Sequence, residues 1–261
     1  MTFYKLILVN QLKSQIYFKG VKMLTDEIKK IYSNVSVATI CTALFKRGLR
    51  NQFIQDVFSL NSNLPNMVGL AYTVRYIPAR EDLNSIEVFK NPDHPQRVAI
   101  EECPSDHVIV FDSRKDARAA SAGAILITRL MFRGCAGVVT DGGFRDSHEI
   151  KDINIPSYHN RPSSPTNLTL HQAIDNNVPI GCGDAAVWPG DLIVGDKEGV
   201  VVIPSNIIEE ISSEVKTMTV FEDYVIKKVQ NGSSIKGLYP LTNKEKQDEY
   251  NNWLKKSSEE I

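Results

Sequence analysis

The chain has 261 residues, 42% of them hydrophobic and 23% charged, with a formal net charge of −1. That length holds one large domain or two small ones, and the near-neutral balance excludes a global pull toward nucleic acid or an anionic membrane while leaving local anion sites open. No stretch is apolar for the ~18 residues that a membrane-spanning helix needs.

The four cysteines, Cys41, Cys103, Cys135 and Cys182, form no C-x-x-C pair. Buried thiols in a reducing, cytoplasmic compartment are expected from that usage. The five histidines show no H-E-x-x-H spacing, so a histidine-based zinc site is not expected. Residues 1–22, with "FYKLILVNQL" interrupted by Lys5, lack the cleavage pattern of a signal peptide and read as a weakly integrated extension. Met23 opens the more orderly part and is an alternative start. Residues 23–240 then read as one domain and 241–261 as a charged tail, either a solvated helix or an end tethered by Trp253.

In chain order, "LTDEIKKIY" and "SVATICTALFKRGL" predict two helices, the second capped by Gly48. "MVGLAYTVRYI" (67–77) predicts a strand, "HPQRVAIEEC" a helix, and "HVIVFD" (107–112) a buried strand. A helix follows from about Ser121 to Arg133, stopped by Gly134, and then "AGVVTD" (136–141) predicts another buried strand. Strand, helix, strand implies a parallel crossover and an α/β fold, whose ligands sit beyond the carboxyl ends of the strands. "PSYHNRPSSPTNLT", rich in proline and serine, reads largely as loop. "VPIGCG", "DLIVGD" and "GVVVIP" read as strands, with turns at "WPGD" and "GDKEGV". From Ser205 a long helix carries one apolar stripe from Ile207 to Val229, and Asn231-Gly232 ends it.

Three stretches can carry chemistry. In "TDGGFRD", Gly142 and Gly143 permit a sharp turn that projects Arg145 and Asp146 from adjacent positions. Arg145 offers a planar fork for a carboxylate, and Asp146 offers hard oxygen for Mg²⁺ or Mn²⁺. Equally, Asp146 followed by Glu149 fits a helix-capping pattern, with Arg145 a surface charge. "SAGAIL" (121–126) opens a helix whose unpaired N–H groups attract an anion, or is an ordinary helix start. "DSRKDAR" (112–118) brings Arg114, Lys115 and Arg118, a solvated loop or a substrate-attracting one. His148 reads as a helix-surface residue, His159 as a loop histidine and His171 as a helix histidine.

"GAILITRLMFRGCAGVVTDGGFRD", followed by "VPIGCGDAAVWPGDLIVGDKEGVVVIP", resembles the family of 4-hydroxy-4-methyl-2-oxoglutarate aldolases and the regulator of ribonuclease activity A. The likeness runs over about residues 35–230, and its "PGD…D..GV..IP" ending is specific. "RYIPAREDL" and "NPDHPQR" resemble a regulator-like subgroup. The resemblance implies a swivelling β/β/α domain with a long C-terminal helix. It also implies a ring-shaped homotrimer or a hexamer of two rings, and a site between neighbouring subunits. It implies that the backbone of Gly123, Ala124, Ile125 and Leu126 binds a pyruvyl group, that Arg145 contacts substrate, and that Asp146 holds a divalent metal, Mg²⁺ or alternatively Mn²⁺.

The expected activity is a metal-dependent lyase that cleaves a 4-hydroxy-2-oxo acid to pyruvate, with oxaloacetate decarboxylation through the same enolate. The expected partners are a small 2-oxo acid and further copies of the chain, not nucleic acid or membrane. Two alternatives remain from sequence. One is a protein-binding regulator of an RNA-degrading enzyme. The other is a relative that binds a 2-oxo acid without turnover, suggested by Ala124 where the family often has an acid. Asp184 stands where glycine is common, and the early helix lacks a frequent aspartate.

Overall fold

In a computed structural model that describes residues 24–259, the apolar runs become strands of one nine-stranded mixed sheet. In chain order these are β1 (Phe53–Ile54), β2 (Phe58–Ser59), β3 (Met67–Pro78), β4 (His107–Asp112), β5 (Gly137–Thr140), β6 (Ser157–His159), β7 (His171–Asn176), β8 (Leu192–Gly195) and β9 (Val200–Ile203). Across the sheet the order is β1-β9-β8-β3-β4-β5-β6-β2, with β7 beside β3. β3 through β6 pair in parallel, and the other pairings are antiparallel.

The helices are α1 (Asp26–Ser33), α2 (Val37–Lys46), α3 (Pro95–Glu102), α4 (Ala124–Phe132), α5 (Ser147–Ile150), α6 (Ile208–Gln230) and α7 (Lys244–Glu259). α3 carries the chain from β3 to β4, and α4 carries it from β4 to β5, the crossovers that parallel neighbours require. Strand alternation sorts side chains to the two faces. Ile109 and Phe111 of β4 pack with Ile100 of α3 and Ile127 and Leu130 of α4. Val108 and Val110 pack on the other face with Val139, Ile193 and Val202. Each such side chain, fully withdrawn from water, contributes about 1.5–3 kcal/mol.

Two expectations are corrected. "PSYHNRPSSPTNLT" is not merely loop: Ser157–His159 forms β6, seated between β5 and β2, so His159 is a strand residue. His171 is not helical but opens β7, which pairs antiparallel with β3 from His171↔Pro78 to Asn176↔Val74. Both strands are short and polar, so neither shows the apolar run that marks a buried strand.

The described residues fall into two compact units, one ending at Ser212 and the other starting at Ser213. The first holds the sheet. The second has its own core of Tyr224, Val225, Leu238 and Tyr250, with the Trp253 ring 5.1 Å from that of Tyr224. The 240/241 boundary drawn from composition falls inside this second unit, and the charged tail is helical as α7. Residues 1–22 and Met23 lie outside the described residues. All four cysteines are free, with Cys103, Cys135 and Cys182 buried and Cys41 half-buried. No described helix is long and apolar enough to cross a membrane.

The carboxyl ends of β4 and β5 are tied by Asp141, only 2% exposed. Its carboxylate accepts from the N–H groups of Ser113 (2.7 Å), Lys115 (3.1 Å) and Gly183 (3.2 Å). Burial pushes its pKa up to about 6 from an ordinary 3.8, against the pull of these backbone donors. Between those values the folded state binds more protons than the unfolded chain, so this group's contribution to stability falls as pH rises through the window. Asp141→Asn removes that dependence. In denaturant titrations, the stability of the variant relative to wild type should move in the variant's favour by up to about 3 kcal/mol between pH 4 and pH 7. A difference that does not change with pH would show that Asp141 does not titrate there.

Candidate active site

A second, three-stranded sheet lies where β4 and β5 end. Ala120–Ala122 pairs in parallel with Gly143–Phe144, which pairs in parallel with Arg161–Pro162. The Arg145 N–H continues this pairing by donating to the Ala122 carbonyl at 3.1 Å. The "SAGAIL" and "GGFRD" stretches are thereby set side by side.

Gly123 is the N-cap of α4, with φ −136° and ψ 179°, which any residue can adopt. What requires glycine is space. A Cβ there would lie 2.6 Å from Arg145 Cγ and 2.9 Å from Asp146 Oδ2. Gly142 and Gly143 likewise serve by close approach and not by unusual dihedrals: a Cβ at Gly142 would meet Ser113 at 2.6 Å, and one at Gly143 would meet Ser163 at 2.5 Å. The left-handed residue of the turn is Asp146 itself, at φ 57° and ψ 35°.

That conformation separates the two readings of Asp146. Its carbonyl accepts from Glu149 and Ile150 N–H at 3.0 Å each, so the residue does occupy the position before α5. Its side chain makes no capping hydrogen bond. The carboxylate instead turns toward α4, where Oδ2 stands 3.4 Å from the Ala124 N–H nitrogen and 3.6 Å from Arg145 Nε. Within α4, Leu126 and Ile127 N–H both return to the Gly123 carbonyl at 3.1 Å. Ile125, second in the helix, has no acceptor in it.

Ser121 is held from both sides. Its hydroxyl lies 2.6 Å from those of Ser113 and Thr140, and its carbonyl accepts from Tyr76 Oη at 3.0 Å and Gln96 Nε2 at 2.8 Å. Gly123, Ile125, Leu126, Arg145 and Asp146 line one cavity of about 370 Å³. Ala124 contributes its N–H but is not part of the wall. Gln96, Arg97 and Phe89 also line it; Gln96 and Arg97 end the "NPDHPQR" stretch, which the sequence marked by resemblance but not as part of a site, and Phe89 belongs to no motif. Thr166 and Asn167, from the stretch that the sequence marked as largely loop, also line the cavity.

The other candidates lie elsewhere. Arg114 and Lys115 line a separate cavity of about 430 Å³ with Asp141 and Asp184. There Lys115 Nζ pairs with Asp184 at 2.6 Å; Arg118 lines neither cavity and pairs with Asp116 at 2.6 Å. His148 is exposed at the surface. His159 is buried and stacks on Phe144 at 5.5 Å, and burial pushes its pKa down to about 4, so it is neutral at physiological pH.

Among the described residues no group of three or more His, Cys, Asp or Glu is placed to hold a metal. A cage made only of protein is therefore not what these residues fit. They fit a cation held by one carboxylate whose shell is completed by water and a chelating ligand, as Mg²⁺ allows. The Asp146 side chain is 37% exposed and opens into the cavity, so its oxygens are accessible.

Residues 37–202 match the family model "RraA-like: Aldolase/RraA". The chain belongs to the RraA-like family. It is 32% identical over 191 residues to a Halalkalibacterium halodurans protein named "Putative 4-hydroxy-4-methyl-2-oxoglutarate aldolase", covering 73% of this chain and 83% of that one. Among solved structures, an uncharacterized protein from Pseudomonas syringae superposes with a TM-score of 0.70 at 22% identity, over 82% of this chain and 98% of the other. Streptomyces coelicolor RraAS2, described as an unusual member of the RNase ES inhibitor RraA protein family, superposes with a TM-score of 0.67 at 24% identity, over 77% and 96%. The α/β architecture is thus that of RraA-like proteins, the swivelling β/β/α domain with its long helix toward the C-terminus.

The packing of Gly123 against the Arg145–Asp146 turn predicts the effect of one methyl group. Gly123→Ala should lower unfolding free energy by about 1–3 kcal/mol through overpacking. Gly181→Ala, where an added Cβ would meet nothing within 4 Å, should stay within about 0.5 kcal/mol of wild type. Equal effects in denaturant unfolding would mean that the two loops do not press together.

Proposed function

We propose that this cavity binds a 2-oxo acid and that the protein is a divalent-metal-dependent lyase. It releases pyruvate from a 4-hydroxy-2-oxo acid and decarboxylates oxaloacetate through the same enolate. The observation that carries this reading is the orientation of Asp146: a carboxylate at the cap position, turned away from its own helix and into a cavity shared with Arg145 and the start of α4. The likeness to the Halalkalibacterium halodurans protein supports the same substrate class.

A divalent cation held by Asp146 would polarise the 2-oxo group and stabilise negative charge on its oxygen. The chain's own groups do the rest. The substrate's C1 carboxylate lies against the start of α4, where the Ile125 N–H and the helix dipole favour an anion. The Arg145 guanidinium faces the oxygen on which charge develops as the C3–C4 bond breaks. In that step the C4 hydroxyl becomes a carbonyl and its proton leaves to water. The electron pair of the broken bond forms the enolate, which takes a proton at C3 to give pyruvate. The wall contains no His, Lys or Glu, and its only carboxylate is Asp146, so water carries these protons. Assembly into a trimer or hexamer belongs to the same reading. Ile125 and Phe132, 84% and 81% exposed on α4, are apolar surface of the kind a neighbouring subunit covers.

A second reading, binding without turnover, is favoured by Ala124, which brings no acid to the helix start. The two separate in one experiment that measures pyruvate release from 4-hydroxy-2-oxo acids and oxaloacetate with Mg²⁺. Arg145→Ala should lower kcat by about 10²–10³. Asp146→Asn should abolish metal-dependent turnover while leaving stability near wild type, because Asn also tolerates the left-handed conformation. Rates unchanged in both variants would remove this pair from the chemistry. Absence of turnover with pyruvate binding intact would leave the binding protein.

A further inference from the structure

We propose that Arg97 sets the specificity of this cavity, clamping the distal carboxylate of a dicarboxylic 2-oxo acid while Arg145 and Asp146 hold the 2-oxo end. This rests on the reading of the cavity as a 2-oxo-acid site and assigns the residue that would select among its ligands. Arg97 comes from the first turn of α3 and lines the same cavity as Arg145. Its guanidinium carbon lies 4.5 Å above the centre of the Phe89 ring. That ring is braced on another side by His94, edge-on at 5.1 Å. With one side of the guanidinium against the ring, the N–H groups directed away from it are the ones that a carboxylate would meet in bidentate fashion.

The neighbouring residue fixes where this fork stands. Gln96 is 2% exposed, and its Nε2 donates to Tyr76 Oη at 3.0 Å and to the Ser121 carbonyl at 2.8 Å. The base of Arg97 is thereby tied to the strand that ends immediately before Gly123, and the two ends of the cavity keep a set spacing. The charges are also distinct. Arg145 has a carboxylate beside it, Asp146 at 3.6 Å, whereas Arg97 has no carboxylate partner among the described residues. The wall carries two guanidinium groups against one carboxylate, a balance that suits a dianion. Ile86 and Phe89 give that end an apolar side for a short methylene chain. The cavity, about 370 Å³, is at the small end of the roughly 300–1,000 Å³ of ligand pockets.

The test compares two ligands of equal chain length, 2-oxoglutarate and 2-oxopentanoate, by calorimetric titration of the full chain with Mg²⁺ present. Wild type should bind the dicarboxylate at least about tenfold more tightly. Arg97→Ala should bring the two within about twofold by weakening 2-oxoglutarate alone, and Arg97→Lys should keep part of the difference. Arg97→Met, which retains the side-chain stem over Phe89, should behave like the alanine variant and guards against loss of fold. Equal affinities in wild type, or variants that weaken both ligands alike, overturn the proposal. If neither ligand binds, the 2-oxo-acid reading falls and this proposal with it. If discrimination is seen but no 4-hydroxy-2-oxo acid or oxaloacetate is turned over, Arg97 keeps its role and only the lyase falls.

Discussion

The site depends on one short parallel pairing, that of Ala120–Ala122 with Gly143–Phe144, closed by the Arg145 N–H on the Ala122 carbonyl at 3.1 Å. A hydrogen bond of this kind contributes only about 0.5–1.5 kcal/mol net. Its importance is geometric. The two stretches leave neighbouring parallel strands of the large sheet, β4 and β5, but after loops of unequal length, so the register at the site is set beyond the end of that pairing. The small ladder sets it, and places a glycine without a side chain where an arginine stem and a carboxylate must pass. The hydroxyls of Ser113, Ser121 and Thr140, packed at 2.6 Å contacts, secure the same junction from inside the core.

Two aspartates five positions apart illustrate how environment assigns roles. Asp141 is 2% exposed and its oxygens already accept three backbone N–H groups. A cation there would have to displace those donors, and burial favours the protonated acid. Asp146 faces one N–H at 3.4 Å, at the long limit of a hydrogen bond, and is open to solvent. Between them, the second is the group with electron pairs to give. The buried histidines act in the opposite sense to Asp141. The Nδ1 of His159 has no hydrogen-bond partner among the described residues, and the ring is held neutral down to about pH 4. Its contribution to stability is complete above the unfolded value of 6.5 and is lost as pH falls toward 4, whereas that of Asp141 is lost as pH rises from 3.8 to about 6. Over the overlap the two slopes oppose one another.

Most of the sheet was legible in the sequence where burial on both faces demands a continuous apolar run. "HVIVFD" and "AGVVTD" are of that kind, and they became β4 and β5. β6 and β7 were not legible because they are built from "SYH" and "HQAIDN". β7 pairs with β3 alone, so apart from the buried His171 and Ala173 its side chains are half-exposed and need not be apolar. At the site, the residues of the Arg-Asp turn and the glycine-led helix were identifiable because each is short and local. What was not legible was how the turn works. The glycines suggested unusual dihedrals, but the left-handed residue is Asp146, and the glycines serve by making room. Gln96 and Arg97 of α3, and Phe89 of the short helical turn Ile86–Lys90 before it, reach the cavity through packing between distant segments that no local spacing encodes.

The left-handed backbone at Asp146 has a consequence for reading related chains. Of the coded residues, glycine, asparagine and aspartate adopt it most readily, so shape alone already narrows the choice at this position before any reaction is considered. An aspartate here satisfies two filters at once. A glycine or asparagine satisfies only the first, and a relative bearing one would be a member that kept the turn and gave up the charge.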